Sequence, residues 1–224
     1  MEEKTDQKTF IEKYTKKNEF SYRIIRLICL PLAWILFHPR AHGVENIPDG
    51  PVVIAVNHRK APDPVFVIRA YRKRAVRFLA AKKFHDGSFG FLFRLMLTIP
   101  VDRSRHTPEV IAASDEVLRR GGVIAIFPEG TRNRSEDEIL LPFKYGAVSL
   151  ARNNGACIVP CVNTGSYRPF FSRVETYFGE PYLIDRDADL EEENRKLYNI
   201  MYDMYVKYGK EDPKLDKIKR KDEV

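Results

Sequence analysis

Cysteine is scarce in this chain: Cys29, Cys157 and Cys161 are the three among 224 residues. That is too few for a disulfide framework and points to a reducing compartment. The C-x-x-x-C of Cys157 and Cys161 has the wrong spacing for a zinc knuckle and no histidine beside it. Both therefore read as small apolar residues on a strand, and no metal site is expected. An apolar run of about 20 residues, the length a membrane span needs, is also missing. The first apolar segment, IIRLICLPLAWILF at 24–37, has 14 residues, carries Arg26 and is broken by Pro31. Directly behind the acidic, polar MEEKTDQKTF there is no apolar core with a small-residue cleavage site, so no secretory leader is expected. No G-x-S-x-G occurs, so a serine acyl-enzyme is not indicated. Neither a basic–aromatic groove motif nor a helix-turn-helix pattern occurs, which sets nucleic acid aside as a partner. No internal repeat is visible.

What the chain does have is positive charge. A net charge of +7 and a pI near 9.2 suit an anionic partner: a membrane surface, nucleic acid or a phosphorylated substrate. Charge alone does not choose among them. The length and a hydrophobic content of 44% suit one sizeable α/β domain with a modest extension. Segment 24–37 fits either a core helix or a helix lying in the membrane interface. Trp34, the flanking Lys13, Lys16, Lys17, Arg23 and Arg40, and the net charge favour the interface.

From residue 51 onward, strand-like and helix-like segments alternate. Strands are predicted at 52–56, 76–80, 99–101, 123–127 and 157–162. Helices are predicted over 64–72, from Phe89, from Thr107 (N-cap) and Pro108 to the stop at Gly121 and Gly122, and over 143–153. VETYF and PYLI around Gly179 read as a closing hairpin, and Leu197, Ile200, Met201, Met204, Tyr205 and Tyr208 as the packing stripe of a long last helix. The alternation predicts an α/β fold with a mostly parallel central sheet flanked by helices. An N-terminal helical membrane-associating segment (1–42) is expected before the α/β domain (43–210), and a charged, frayed tail (211–224) after it.

The chemistry gathers where buried strands end, since ligands of parallel sheets sit at the carboxyl ends of strands. VVIAVNHRKAPDPVF runs from a strand straight into His58, with Asp63 between Pro62 and Pro64. Those prolines make the step between histidine and aspartate a rigid loop and not a helical turn. A compact loop can fold Asp63 onto the imidazole, fixing its tautomer and leaving the other ring nitrogen as a base. Asp63 before Pro64 is equally an N-cap signal, and the two roles are compatible. VIAIFPEGTRNRS ends a second strand in a Pro128–Gly130 turn followed by Thr131, Arg132 and Arg134, groups that suit a phosphate ester. Glu129 would repel such a ligand unless it pairs with an arginine or bonds the ligand's hydroxyls. Arg103, after a third strand, reads either as a further cation for the pocket or as a surface partner of Asp102. Lys144 falls at a predicted helix start, where a cation gains nothing from the macrodipole and an anionic ligand would explain it.

With these residues the chain resembles the glycerolipid acyltransferases. NHRKAPDP matches their N-H-x-x-x-x-D signature, and FPEGTRNRS their F-P-E-G-T-R-S block with Asn133 inserted. VDRS, LLPFKYGA and IVPC resemble their arginine, lysine and proline-containing blocks. The blocks lie in order over about residues 43–180, and the closest likeness is to the short bacterial 1-acyl-glycerol-3-phosphate type. The resemblance implies catalysis by His58 and Asp63, and substrate binding by Arg103, Glu129, Gly130, Thr131, Arg132 and Lys144. It implies an acyl-CoA or acyl carrier protein donor, a lysophospholipid acceptor and no cofactor. It also implies a peripheral or monotopic place on the cytoplasmic face of the cell membrane, reached through 24–37 and FLFRLML at 91–97. Acylation of glycerol 3-phosphate or another lysolipid, and non-catalytic binding of anionic lipid, are the rival readings.

Overall fold

Five residues, Val52 to Val56, are fully buried because helices cover both faces of the strand they form. A computed structural model describes residues 2–15, 19–88, 90–102, 107–171, 173–210 and 212–222. The helices are α1 (Glu2–Thr15), α2 (Glu19–Phe37), α3 (Asp63–Ala70), α4 (Lys82–Asp86), α5 (Gly90–Leu95), α6 (Pro108–Arg119), α7 (Gly146–Asn154), α8 (Leu190–Tyr208) and α9 (Pro213–Asp222). The strands are β1 (Arg40–His42), β2 (Val52–Val56), β3 (Val76–Ala81), β4 (Ile99–Val101), β5 (Val123–Ile126), β6 (Cys157–Gly165) and β7 (Val174–Phe178).

Among the described residues these strands make one sheet in the order β1-β7-β6-β2-β5-β3-β4, and every pair is parallel except β6 with β7. Side chains alternate across the sheet. Val53 and Ala55 face a core built with Val117 of α6, Val148 of α7 and Met201 of α8. Val52, Ile54 and Val56 face Val67 and Ile68 of α3 and Tyr22 of α2. The predicted mostly parallel α/β sheet is the one observed.

Several expectations are corrected. The hairpin lies between β6 and β7; Tyr182 of PYLI forms only an isolated bridge with Ile158. β7 instead receives β1 on its other side, so residues 40–42 belong to the sheet and not to an N-terminal appendage. The helix expected from Phe143 begins at Gly146, because the Lys144 amide is taken by the Pro128 carbonyl at 2.8 Å. Thr107 precedes α6, yet its hydroxyl makes no capping bond. The expected frayed tail folds as α9, with Asp212 and Leu215 buried.

The register of β2 and β5 positions the site. Val52 pairs with Val123 and Ala55 with Ile126, so the loops after the two strands leave the sheet side by side. On the other flank Val56 pairs with Cys161, which brings the far end of β6 to the same edge.

Candidate active site

β2 is prolonged by side chains. The Asn57 amide donates to the Asn163 carbonyl and accepts from the Asn163 amide, at 3.1 and 2.7 Å. His58 then turns out of the sheet. Its ring stacks on Phe127, with centroids 3.9 Å apart and planes at 17°, and Phe127 stacks in turn on Phe78. The imidazole Nδ1 lies 3.0 Å from Asp63 Oδ2. The His58 side chain is 16% exposed and that of Asp63 is not exposed at all, so the histidine is the member of the pair open to a ligand.

Asp63 gathers donors. Its Oδ2 accepts the Arg59 and Lys60 amides, each at 2.7 Å, and its Oδ1 accepts the Tyr167 hydroxyl at 2.6 Å. Because the carboxylate is an acceptor on every side, His58 Nδ1 is the donor, and in the neutral ring the lone pair is on Nε2. The N-cap reading is corrected: α3 begins at Asp63 itself, after Pro62, and there is no side-chain capping bond. The aspartate gives Oδ2 to the loop before the helix and Oδ1 to Tyr167, which follows β6.

The second loop is stitched to the first. Glu129 is buried, and its two oxygens accept the amides of His58 (2.7 Å) and Leu141 (3.0 Å). The Asn133 amide donates to the His58 carbonyl at 2.7 Å, while its side chain holds the carbonyls of Glu138 and Ile139. Glu129, expected from the sequence among the substrate-binding residues, is thus seen to clamp the two loops together with both oxygens. The inserted Asn133, read from sequence only as an interruption, is the second clamp.

Burial pushes the Glu129 carboxyl up to about 7, against the His58 and Leu141 amides that favour its ionised form. Its folded value thus exceeds its ordinary value of 4.5, and the folded chain keeps a proton that the unfolded chain releases. The stability contributed is full below the unfolded value and is lost as pH rises through the folded one, by up to ~3 kcal/mol. Urea unfolding is expected to show native stability declining between about pH 4.5 and about pH 7, and Glu129→Gln protein a flatter profile. Parallel profiles for the two would refute this assignment.

Gly130 (φ +69°) lets the chain turn under Lys144, whose Cδ and Cε would lie 2.9 Å from any added Cβ. Beside them a cleft of about 230 Å³ is lined by Leu79, Val101, Ile126, Phe127, Gly130 and Lys144 among others. Thr131 is exposed and Arg132 half-buried on the adjoining turn, one residue before the Asn133 clamp. Arg132 and the Lys144 ammonium meet no carboxylate among the described residues. The structure therefore brings His58, Asp63, Gly130, Thr131, Arg132 and Lys144 to one edge. Arg103 lies outside the described residues. No group of His, Cys, Asp and Glu side chains placed to hold a metal occurs among the described residues.

Behind the pair lies a layer that sequence reading missed. Arg59 lies over the Tyr167 and Tyr205 rings, donates to the Gly165 carbonyl at 3.2 Å, and forms a two-pronged ion pair with Asp212, one prong at 2.9 Å. Asp212 is buried and also accepts the Gly165 amide at 2.9 Å and the Tyr205 hydroxyl at 2.8 Å. Burial alone would lower the Arg59 guanidinium, but Tyr205, Tyr167 and Asp212 outweigh it and hold it above its ordinary value. Burial raises the Tyr167 phenol well above its ordinary value, and Asp63 adds to the rise, so Tyr167 stays a donor. Lys214 of α9 stands near this cluster, brought down to about 8 by burial and by Arg59. One signal existed: Asp212–Pro213 repeats the aspartate–proline helix start, and Leu215 and Ile218 follow at helical spacing.

Comparison with known proteins supplies the context. The Acyltransferase family model matches residues 38–164. The chain is 30% identical to a mouse protein named 1-acyl-sn-glycerol-3-phosphate acyltransferase alpha, over 74% of this chain and 59% of that one. It is 30% identical to a Bacillus subtilis protein named 1-acyl-sn-glycerol-3-phosphate acyltransferase, over 63% of this chain and 72% of that one. The chain thus spans less than two thirds of the mouse protein and most of the bacterial one. In fold it is similar to a crystal structure described as the 1-acyl-sn-glycerophosphate (LPA) acyltransferase, PlsC, from Thermotoga maritima. The TM-score is 0.67 at 17% identity, covering 89% of this chain and 87% of that one.

Proposed function

The chain belongs to the acyltransferase family, and on that premise we propose that it moves an acyl group from a thioester to the free hydroxyl of a 1-acyl-glycerol 3-phosphate. The observation that carries this reading is the His58–Asp63 pair at the sheet edge, its imidazole stacked on Phe127, which lines the same cleft as Lys144, with Arg132 one residue before the Asn133 amide that bonds the His58 carbonyl. His58 Nε2 takes the proton of the acceptor hydroxyl as its oxygen attacks the thioester carbonyl. The tetrahedral intermediate collapses with cleavage of the C–S bond, and the leaving sulfur takes the proton back from the imidazolium. Asp63 holds the ring's orientation and offsets its charge while protonated. The Lys144 ammonium and the Arg132 guanidinium suit the acceptor phosphate, and the apolar cleft wall of Leu79, Val101 and Ile126 suits methylenes.

The donor is acyl-CoA or an acyl carrier protein, and the working place is the cytoplasmic face of the membrane, where a lysophospholipid resides. No helix among the described residues is long and apolar enough to cross a membrane. Exposed Leu27, Leu32, Trp34 and Ile35 on α2 support an interfacial contact. The test is a reaction of purified protein with both donor types and a panel of lysophosphatidic acid, glycerol 3-phosphate and other lysolipids, read by product mass. Phosphatidic acid as the main product is expected; no transfer to any glycerol phosphate overturns the reading. In the same assay Arg132→Ala and Lys144→Ala are each expected to raise the acceptor KM about 10-fold or more with kcat less affected, since each removes a charge-assisted bond. An unchanged acceptor KM in both would remove these cations from the site.

A further inference from the structure

A second cavity lies at the opposite end of the sheet from His58. It has a volume of about 300 Å³ and is lined by Ala75 and Arg77, where β3 starts, and by Gly121 and Gly122, just before β5. His58 and Phe127 follow the far ends of parallel strands, so this cavity is separated from the candidate active site by the length of the sheet.

Its walls are cationic. Arg23 and Arg26 of α2, Arg72 and Lys73 after α3, and Arg120 after α6 all line it. Arg120 is paired with Glu116. Arg23, Arg26, Arg72 and Lys73 meet no carboxylate among the described residues; Arg26 donates to the Arg72 carbonyl at 3.4 Å and lies over the Tyr22 ring, and Arg72 donates to the Arg69 carbonyl at 3.4 Å. The floor is preformed by Arg74, which bonds the carbonyls of Pro48, Gly50 and Gly121 and the Tyr71 hydroxyl, and so rivets three loops. Arg23, Arg72 and Lys73 are exposed and Arg26 is half-buried, so solvent screens their mutual repulsion, and an anion placed among them would meet several charged donors at once.

An apolar groove of about 620 Å³ opens from the same wall, sharing Arg23, Arg26 and Arg72 and continuing past Leu27, Leu30 and Trp34. Arg69, on the groove, has a buried Nε that meets no acceptor among the described residues. Burial, and then the neighbouring Arg72, hold its guanidinium below its ordinary value. α2 runs from the cavity, where the Tyr22 hydroxyl accepts the Val76 amide, to Phe37, which packs on Phe66 and Tyr167 near Asp63.

We propose that this cationic cavity and its groove bind an anionic glycerophospholipid of the bilayer, its phosphate among Arg23, Arg26, Arg72 and Lys73 and its acyl chain along Leu27, Leu30 and Trp34. The shape separates this ligand from others. A free phosphate explains the cations but leaves the groove empty, and a nucleic acid gains nothing from the groove's leucines. A neutral lipid explains the groove and leaves the cations uncompensated. The lipid holds α2 flat on the membrane from one end of the sheet to the other. The site rests on the interfacial reading of α2 and on no chemical step at His58.

Trp34 is the chain's single tryptophan, so its fluorescence reports on the groove directly. The experiment titrates full-length protein, native and His58→Ala, with vesicles of phosphatidylcholine alone or mixed with phosphatidylglycerol. Both proteins are expected to show a blue-shifted Trp34, quenched by brominated acyl chains, with the mixed vesicles and much less with neutral ones, and the shift to weaken with salt. The double variant Arg26→Glu, Arg72→Glu is expected to lose at least about 10-fold in vesicle affinity, and its milder counterpart Arg26→Gln, Arg72→Gln to lose less. Thermal unfolding of each variant is measured alongside, and the milder pair decides if the reversal unfolds the chain. Equal binding to neutral and anionic vesicles, a Trp34 signal produced by inorganic phosphate or an oligonucleotide and not by vesicles, or undiminished affinity in both variants would overturn the site. Loss of turnover in His58→Ala protein with lipid binding intact would leave it standing.

Discussion

Replacing His58 with alanine is expected to lower turnover by about 10²–10⁴-fold, the usual contribution of a positioned base, while the fold survives with a loss of about 1 kcal/mol. The two effects separate because of how the pair is built. The His58 side chain is partly exposed, and without it Asp63 still accepts the Arg59 and Lys60 amides and the Tyr167 hydroxyl. Asp63→Ala is a poorer probe. It would strip a fully buried acceptor from those three donors, and each one left unpaired costs about 1–3 kcal/mol. The buried geometry predicts that both stability and turnover fall. The measurements are thiol release from an acyl thioester, with urea unfolding of each variant. Native turnover in His58→Ala protein would remove the imidazole from the chemistry.

Asp212→Ala is expected to destabilise the chain by about 3–5 kcal/mol, the cost of leaving a buried partner charge uncompensated. Arg59 would keep its place between the Tyr167 and Tyr205 rings with no carboxylate to balance it. Turnover should fall too, because Arg59 directly follows His58 and its amide is one of the bonds that shape the loop around Asp63. Removing both charges with apolar residues of similar size, as in Arg59→Met with Asp212→Leu, is expected to recover much of the lost stability. A double-mutant cycle in urea measures the coupling. A loss below about 1 kcal/mol in Asp212→Ala would show that the C-terminal segment is not locked to the catalytic loop.

Much of the sheet was legible in the chain. β2 and β4 fall on the predicted residues, and β3 and β5 within one residue, because strands buried on both faces must be continuous apolar runs. The His58–Asp63 pair was legible because its partners are five residues apart and flanking prolines limit the loop. The Glu129 clamp was not. A glutamate in a cationic motif looks like a ligand group until the His58 and Leu141 amides are seen to use both oxygens. Tyr167 and Asp212 were further out of reach, at 104 and 153 residues from the side chains they hold.

By itself, the sequence determined which segments bury both faces, which loops carry titratable groups at strand ends, and which family the motifs resemble, since these follow from local periodicity and short-range chain stiffness. Only the tertiary structure decided that the residue before α9, Asp212, returns to lock Arg59, that Glu129 and Asn133 fasten two loops, and that arginines of α2 and of the segment after α3 line one cavity. Those outcomes depend on strand order and register. The chain's linear pattern does not encode them, because a hydrogen bond or an ion pair acts over a few ångströms in space, whatever the separation along the backbone.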